Sequence, residues 1–421
     1  MINLNHLPSK IELALHQAQN YLSNHTKGLD LVSQNNHQKV LAAFQKSGIS
    51  TYHLSGTTGY GLGDSGRENL DNIVADIMGT EKAMIRHQFV SGTHAISSAL
   101  FGLLRPGDHF LSVTGMPYDT LQKVIGLKET NIGSLKEFGI DFDHIPLDKN
   151  SEIQLDLLAG AVKPNTKLFI LQRSRGYEWR NAVTIAQIEA FTGYAREKYP
   201  YIKIFVDNCY GELVEEREPG DVGADLMAGS LIKNLGGTLA PAGGYIAGRE
   251  ELVELAANRF AAPGLGTGIG ATLDHLRLLY QGLFLSPLTV REALKSAVFS
   301  SVFWQSLGFD VHPEPAAVRS DTIQAVRLGS KEKMIAFCQG LQKGSPIDSH
   351  VLPLPAPMPG YSDEVIMAGG TFIQGATSEF SADGPIREPY VAYMQGGISF
   401  DYVKLANILA ALNLSEKGFL A

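Results

Sequence analysis

The stretch "IKIFVDNCYGE", Ile202 to Glu212, opens with an apolar run and stops on a carboxylate, Asp207. A short, continuous, β-branched run of this kind reads as a strand buried on both faces, the habit of parallel sheets. Its flank agrees. "TKLFILQ" is a second such strand, and "TIAQIEAFTGYAREKYP" between them is an amphipathic helix with Thr184 as its cap. Further out, "AMIRHQFV", "HFLSV", "ADLMAGS" and "GGYIAG" read as strands, and "GTHAISSALFGLL" as a helix opening after Ser91. Strands alternating with helices imply an α/β domain built on a mainly parallel sheet.

The remaining chain has a different texture. Residues 9 to 46 read as two helices, and "RENLDNIVADIMG" as a third that stops at Gly79. Residues 270 to 307 read as a long helical stretch with a break expected near "LSPLT". Beyond 308 a smaller α+β unit is expected, crossed by the stiff, proline-rich "LPLPAPMPG" and closed by the helix "FDYVKLANILAALN". The expected division is an N-terminal helical segment over 1–49, a large domain over 50–290 and a small C-terminal domain over 291–421. The small domain is expected to include some of the N-terminal helices.

Composition narrows the function. Of 421 residues, 44% are hydrophobic and 19% charged, which is ordinary for a globular protein. A net charge of −8 favours neither nucleic acid nor an anionic membrane surface. Two cysteines, Cys209 and Cys338, build no disulfide framework and match no metal spacing. No window approaches eighteen apolar residues, and "MINLNHLPSKIELALHQAQNYL" has no signal-like apolar core. A cytoplasmic protein is expected.

Several motifs carry chemistry. "GLGDSG", Gly61 to Gly66, matches the dinucleotide fingerprint, but no strand precedes it, so it reads as a flexible, glycine-rich binding loop. There is no P-loop and no histidine cluster for a catalytic zinc. "SGTHA" opens a helix after a strand, where backbone N–H groups of Ser91, Gly92 and Thr93 can hold an anion, or simply form a capped turn. Tyr118 in "GMPYDT" follows a strand end, where it can stack on a flat ligand or pack on a helix. Asp207 ends a buried strand and needs a partner such as a protonated ring nitrogen, unless it caps a helix or pairs in a loop. Lys233 in "GSLIKNLGG" sits among small and apolar residues, either as a surface lysine or as a desolvated amine of lowered pKa that can form a Schiff base. Gly236 and Gly237 would leave room for a ring and its lysine, and Ser230 precedes that site by three residues. One ligand accounts for all four positions together. Pyridoxal 5′-phosphate has a phosphate, a flat ring, a pyridinium nitrogen and an aldehyde.

With these motifs, "SGTTGYGLGDSGR", "QRSRGYEWR", "APGLG" and "REPYVAYMQGGIS" complete a set spanning about residues 50 to 400. The set resembles the methionine γ-lyase/cystathionine β-lyase-like group called aluminium resistance proteins, within the fold-type-I pyridoxal-phosphate enzymes. The resemblance implies an aspartate-aminotransferase-like subunit with a seven-stranded, mainly parallel sheet and a smaller α+β domain. It implies Lys233 as the attachment point and proton shuttle, Asp207 at the ring nitrogen, Tyr118 on the ring face, and Ser91, Gly92, Thr93 and Ser230 at the phosphate. A tyrosine and an arginine from a partner subunit would also reach the phosphate, and Tyr60 and Arg67 are the candidates. Arg387 is the choice for the substrate carboxylate, with Arg175 next and Arg173 and Arg319 as competitors.

The sequence departs from better-known relatives at Leu62, where their arginine stands, at Ile232, where a threonine precedes the lysine, and around "GPIREP". The implied activity is elimination at a carbon–sulfur bond of an amino acid. An aminotransferase, aldolase, racemase or catalytically idle binding protein remains the alternative. A homo-oligomer is implied, as a dimer of dimers with shared sites, and "APGLGTG" reads either as a segment crossing to a neighbour or as a plain connecting loop.

Overall fold

The computed structural model describes residues 7–127 and 132–420. In chain order its elements are α1 (Ser9–His25), α2 (Lys27–Lys46), α3 (Ser65–Met78), β1 (Lys82–Arg86), α4 (Gly92–Leu103), β2 (His109–Ser112), α5 (Asp119–Ile125), β3 (Asp141–His144), α6 (Leu158–Ala161), β4 (Thr166–Gln172), α7 (Ile185–Lys198), β5 (Lys203–Asp207), β6 (Leu226–Ser230), β7 (Gly244–Gly248) and α8 (Glu250–Phe260). There follow α9 (Leu276–Ser306), β8 (Asp310–His312), β9 (Ile323–Arg327), α10 (Lys331–Gln342), β10 (Val365–Ala368), β11 (Ser381–Pro385), β12 (Val391–Gln395) and α11 (Phe400–Glu416).

The first seven strands form one sheet in the order β1-β7-β6-β5-β4-β2-β3. Five of them, from β6 to β3, pair in parallel, while β7 runs antiparallel to both β6 and β1. The central runs are buried as their composition demands, with Phe169, Phe205 and Val206 fully enclosed. Local chemistry sets the helix ends. Asp64 caps α3 and Ser91 caps α4, Thr184 and Gln187 close a capping box on α7, and Gly79 ends α3 in the left-handed region. The last five strands form a second, antiparallel sheet, β10-β11-β12-β9-β8.

Three features differ from the sequence expectation. The strand read over "AMIRHQFV" stops at Arg86, and the short edge strand β3 lies in a polar stretch that carries no strand signal. The break expected at "LSPLT" is absent, because α9 runs through Pro287. A helical proline leaves the carbonyl four residues back without its donor. Here that carbonyl, Leu283 O, accepts the hydroxyl of Ser286 at 2.7 Å. The helix therefore crosses residue 290 intact. Its first half packs Leu276, Tyr280 and Leu283 into the core of the large sheet. Its second half packs Phe299, Phe303 and Trp304 into the core under the second sheet, where α1 also buries Ile11, Ala14 and Ala18.

Candidate active site

The parallel strands end on one side of the sheet, where the second sheet faces them across a cavity of about 400 Å³. Asp207 ends β5, Ser230 ends β6, and Lys233 follows on the next turn. Ser91, Gly92 and Thr93 open α4 at the same place. All of these line the cavity with Tyr118, so the four motifs converge as the sequence implied.

Each side chain is held by its neighbours. The Ser91 hydroxyl accepts the His94 N–H at 3.1 Å as the helix cap, leaving the Gly92 and Thr93 N–H groups at the open helix end. A Cβ on Gly92 would lie 3.0 Å from the Ser230 Cβ and 3.3 Å from the Cys209 sulfur, so the turn accepts little more than glycine. The Tyr118 hydroxyl bonds the Thr93 hydroxyl at 3.0 Å, and its backbone N–H donates to Gln172 at 2.9 Å. Asp207 is 3% exposed and accepts the Cys209 N–H at 3.1 Å. Burial pushes the Asp207 carboxyl up, and the charge of Lys233 draws it back only in part. Cys209 is a buried free thiol, and burial, with Asp207 beside it, pushes its pKa up.

Lys233 stands with its Nζ 3.8 Å from the centre of the Tyr210 ring. The side chain of Asn234 donates to the carbonyls of Tyr210 and Glu212, tying the lysine turn to the loop after β5. The lowered lysine pKa expected from desolvation is not observed. Burial pulls it down, but the acidic groups of Cys209, Tyr210, Asp207 and Tyr118 outweigh that and hold it above the ordinary lysine value. Gly236 and Gly237 also differ from expectation. A Cβ on Gly236 would meet Leu231 O at 1.7 Å, and one on Gly237 would meet Gly282 O at 2.0 Å. Gly236 thus lets the lysine turn fold on itself and Gly237 lets it approach α9, and neither makes room for a ring.

Tyr60 and Arg67 lie apart from the cavity. Tyr60 is 78% exposed on a surface loop. Arg67 is fully buried, and its guanidinium donates to the carbonyls of Gly61, Gly268 and Gly270 at 2.6 to 3.0 Å. The glycine-rich loop is pinned to residues 268–273. Gly270 N–H donates to Tyr60 O, Leu273 N–H donates to Thr57 O, and Thr57 and Thr272 donate to Asp64. It is thus a docked loop that caps a helix, in place of the flexible loop expected.

Among the arginines, Arg387 and Arg175 line a recess of about 240 Å³ that shares Tyr118, Asp119, Gln172 and Tyr177 with the main cavity. Arg387 is half-exposed and pairs with Asp363 at 3.0 Å. Arg175 is buried. Its Nη1 donates to the ring and carbonyl of His312 at 2.8 Å, while its Nη2 has no hydrogen-bond partner among the described residues. Arg173 is committed to Asn208 and Glu215, and Arg319 to Gln324, so neither competitor reaches the cavity. Sequence reasoning missed the wall formed by Tyr177, Tyr210, Tyr361, Asp383, Tyr393 and Gln395. Tyr177 and Tyr393 lie in stretches already notable as motifs, yet nothing local gives them a role. No group of residues suited to a metal ion exists among the described residues, and no helix among them is long and apolar enough to cross a membrane.

The chain is similar to known proteins over nearly its whole length. The methionine gamma-lyase family model matches residues 11–415. The uncharacterised protein YnbB of Bacillus subtilis (strain 168) is 50% identical over 392 residues, 93% of either chain. A crystal structure of a carbon–sulfur lyase involved in aluminium resistance, from Clostridium novyi NT, superposes with a TM-score of 0.92 at 46% identity, covering 97% of this chain and 96% of that one. MetB of Corynebacterium glutamicum shares the fold with a TM-score of 0.59 at 20% identity, covering 83% of this chain and 86% of that one. The architecture is the fold type I expected from the sequence. The match extends over nearly the whole chain, and the protein belongs to the methionine gamma-lyase family.

Proposed function

We propose that the protein is a pyridoxal-phosphate-dependent carbon–sulfur lyase that eliminates a thiol from an amino acid. One observation carries this reading: Lys233, Asp207, Tyr118 and the Ser91–Thr93 turn, distant in sequence, surround one cavity. The residues suit the cofactor's separate parts. The open end of α4 with Ser230 offers N–H and hydroxyl groups to a phosphate. Asp207, buried and held by the Cys209 N–H, lines the cavity as a carboxylate suited to a ring N–H. The Tyr118 ring is held at the edge of the same space. Bound there, the cofactor supplies an electron sink for the pair left on the substrate's α-carbon.

The chain's own residues then divide the work. Lys233 Nζ is the attachment point and the base that takes the α-proton, and Tyr210 beneath it limits its positions. Asp207 keeps the ring-nitrogen proton in place. The recess with Arg175 and Arg387 suits the substrate carboxylate, and the unpartnered Nη2 of Arg175 favours that residue. Arg67 is committed within its own chain, which leaves Tyr60, exposed beside the glycine-rich loop, to reach a partner's phosphate in a homodimer or dimer of dimers. Two buried free thiols suit a reducing cytoplasm.

The test is to load the protein with cofactor and offer it cystathionine, methionine and cysteine. A visible absorption band of lysine-bound cofactor, with release of thiol, 2-oxo acid and ammonia, is the expected result. Transfer of the amino group to an added 2-oxo acid, with no thiol released, would overturn the assignment.

A further inference from the structure

The wall of the cavity contributed by the second sheet contains a carboxylate that the proposed chemistry leaves unused. Asp383 on β11 is 5% exposed and lies opposite Tyr393 on β12. Its Oδ2 accepts from Gln395 at 2.8 Å, and the Tyr177 hydroxyl lies near enough to the carboxyl to favour its ionised form. Its Oδ1 is buried and has no hydrogen-bond partner among the described residues. Burial pushes this carboxyl up to about 6, so it is ionised above that range.

A buried carboxylate with an open oxygen is costly unless a cation or a donor meets it. Lys233 acts on Asp383 only through its charge, which counts for less than burial and the neighbouring Tyr177 and Gln395; its amine lies over the Tyr210 ring and forms no ion pair with Asp383 among the described residues. Around Asp383 the surface is aromatic. The Tyr177 ring lies 5.2 Å from that of Tyr393 and 5.8 Å from that of Tyr361, centre to centre. Rings beside a carboxylate favour an organic cation over a bare alkyl group, because ring faces attract positive charge and tolerate methylenes. The arginines lie in the adjoining recess, so the two ends of an amino acid would meet opposite charges.

We infer that Asp383, with the rings of Tyr177, Tyr361 and Tyr393, forms a subsite for a protonated amine at the far end of the substrate's side chain. The preferred substrate is then a thioether amino acid whose leaving half carries an ammonium group, and a plain alkyl thioether such as methionine is disfavoured. This rests on the assignment of the cavity to an amino-acid substrate.

The experiment uses the cofactor-loaded protein and two ligands that have no carbon–sulfur bond, L-lysine and its neutral isostere L-2-aminoheptanoate. Binding is measured by calorimetry above the titration range of Asp383. Lysine should bind at least about tenfold more tightly. Asp383→Asn should remove that preference while leaving the neutral ligand within about twofold. Equal binding of the two ligands by the wild-type protein overturns the subsite, and so does an equal loss for both in the variant, which marks a structural role. The wild-type comparison decides the matter even if the variant does not fold. If neither ligand binds and no cofactor band forms, the amino-acid assignment fails and takes the subsite with it. If the band forms and the ligands bind equally, only the subsite falls.

Discussion

Lys233 is a half-buried amine whose position matters more than its charge. Its ammonium lies over the Tyr210 ring, and Asn234 anchors its turn. Lys233→Ala should abolish the visible band of bound cofactor and lower turnover by at least about 10²–10⁴-fold, as expected for loss of a positioned base. Absorption spectra and a thiol-release assay check this, and a variant that keeps its turnover would remove Lys233 from the chemistry. Gly237 makes a separate point at the same scale. Its φ of +53° and its approach to Gly282 O leave no space for a methyl group. Gly237→Ala should cost at least about 2 kcal/mol of stability, from backbone strain and overpacking together. Chemical denaturation measures it, and a loss below half that size would show that α9 yields.

Among the elements, α9 is the one whose continuity decides how the two sheets meet. It contributes to both cores, and a proline lies in its middle. The Ser286 hydroxyl occupies the carbonyl that Pro287 leaves without a donor. Ser286→Ala should therefore cost about 1–2 kcal/mol, the penalty for an unsatisfied buried carbonyl. In a Pro287→Ala background the restored N–H can serve that carbonyl, and the same change should cost less than about 0.5 kcal/mol. The double-mutant cycle measures the coupling directly, and additive losses would mean that the hydroxyl does not replace the missing donor. Sequence reasoning expected a break here because a proline in a helical pattern usually ends it. The compensating bond depends on the rotamer of the neighbouring serine, which the pattern does not encode.

At the scale of the whole molecule, the buried acidic groups behind the cavity make stability depend on pH. Glu212 is fully enclosed, accepts the Tyr245 hydroxyl at 3.1 Å, and leaves its second oxygen unpartnered among the described residues. Burial, with Glu218 nearby, pushes its carboxyl from 4.5 up to about 8. Its folded pKa lies above the unfolded value. Its contribution to stability is therefore full below about pH 4.5 and is lost as pH rises through about 8. Glu212→Gln should remove this dependence. Relative to wild type, the variant should gain stability across that interval by roughly 1.4 kcal/mol for each unit between the two pKa values, and the difference should be flat on either side. Melting curves of both proteins from acid to mild alkali test it, and parallel curves would refute the assignment.

The sequence by itself determined the α/β class, the parallel centre of the sheet and the four motifs that line the cavity. Each of these is written locally. Asp207 ends an apolar run, Ser91 opens a helix, Tyr118 follows a strand, and Lys233 is a lone base in a glycine-rich turn. Their common order is the order in which one ligand would meet them. Tertiary structure alone decided the rest. Asp383 and Tyr393 on the second sheet, with Tyr361 on the loop before β10, line the cavity only because the second sheet faces the first, and no local pattern records that apposition. Arg67 reads as a phosphate ligand in the sequence, but folding commits its guanidinium to backbone carbonyls. Gly236 lets the lysine turn fold on itself and Gly237 lets it approach α9, and Lys233 lies among enough acidic groups to raise its pKa. The physical reason is the same in each case: short-range pattern reports which conformations a segment favours, whereas charge, burial and steric contact are set by what the fold brings against it.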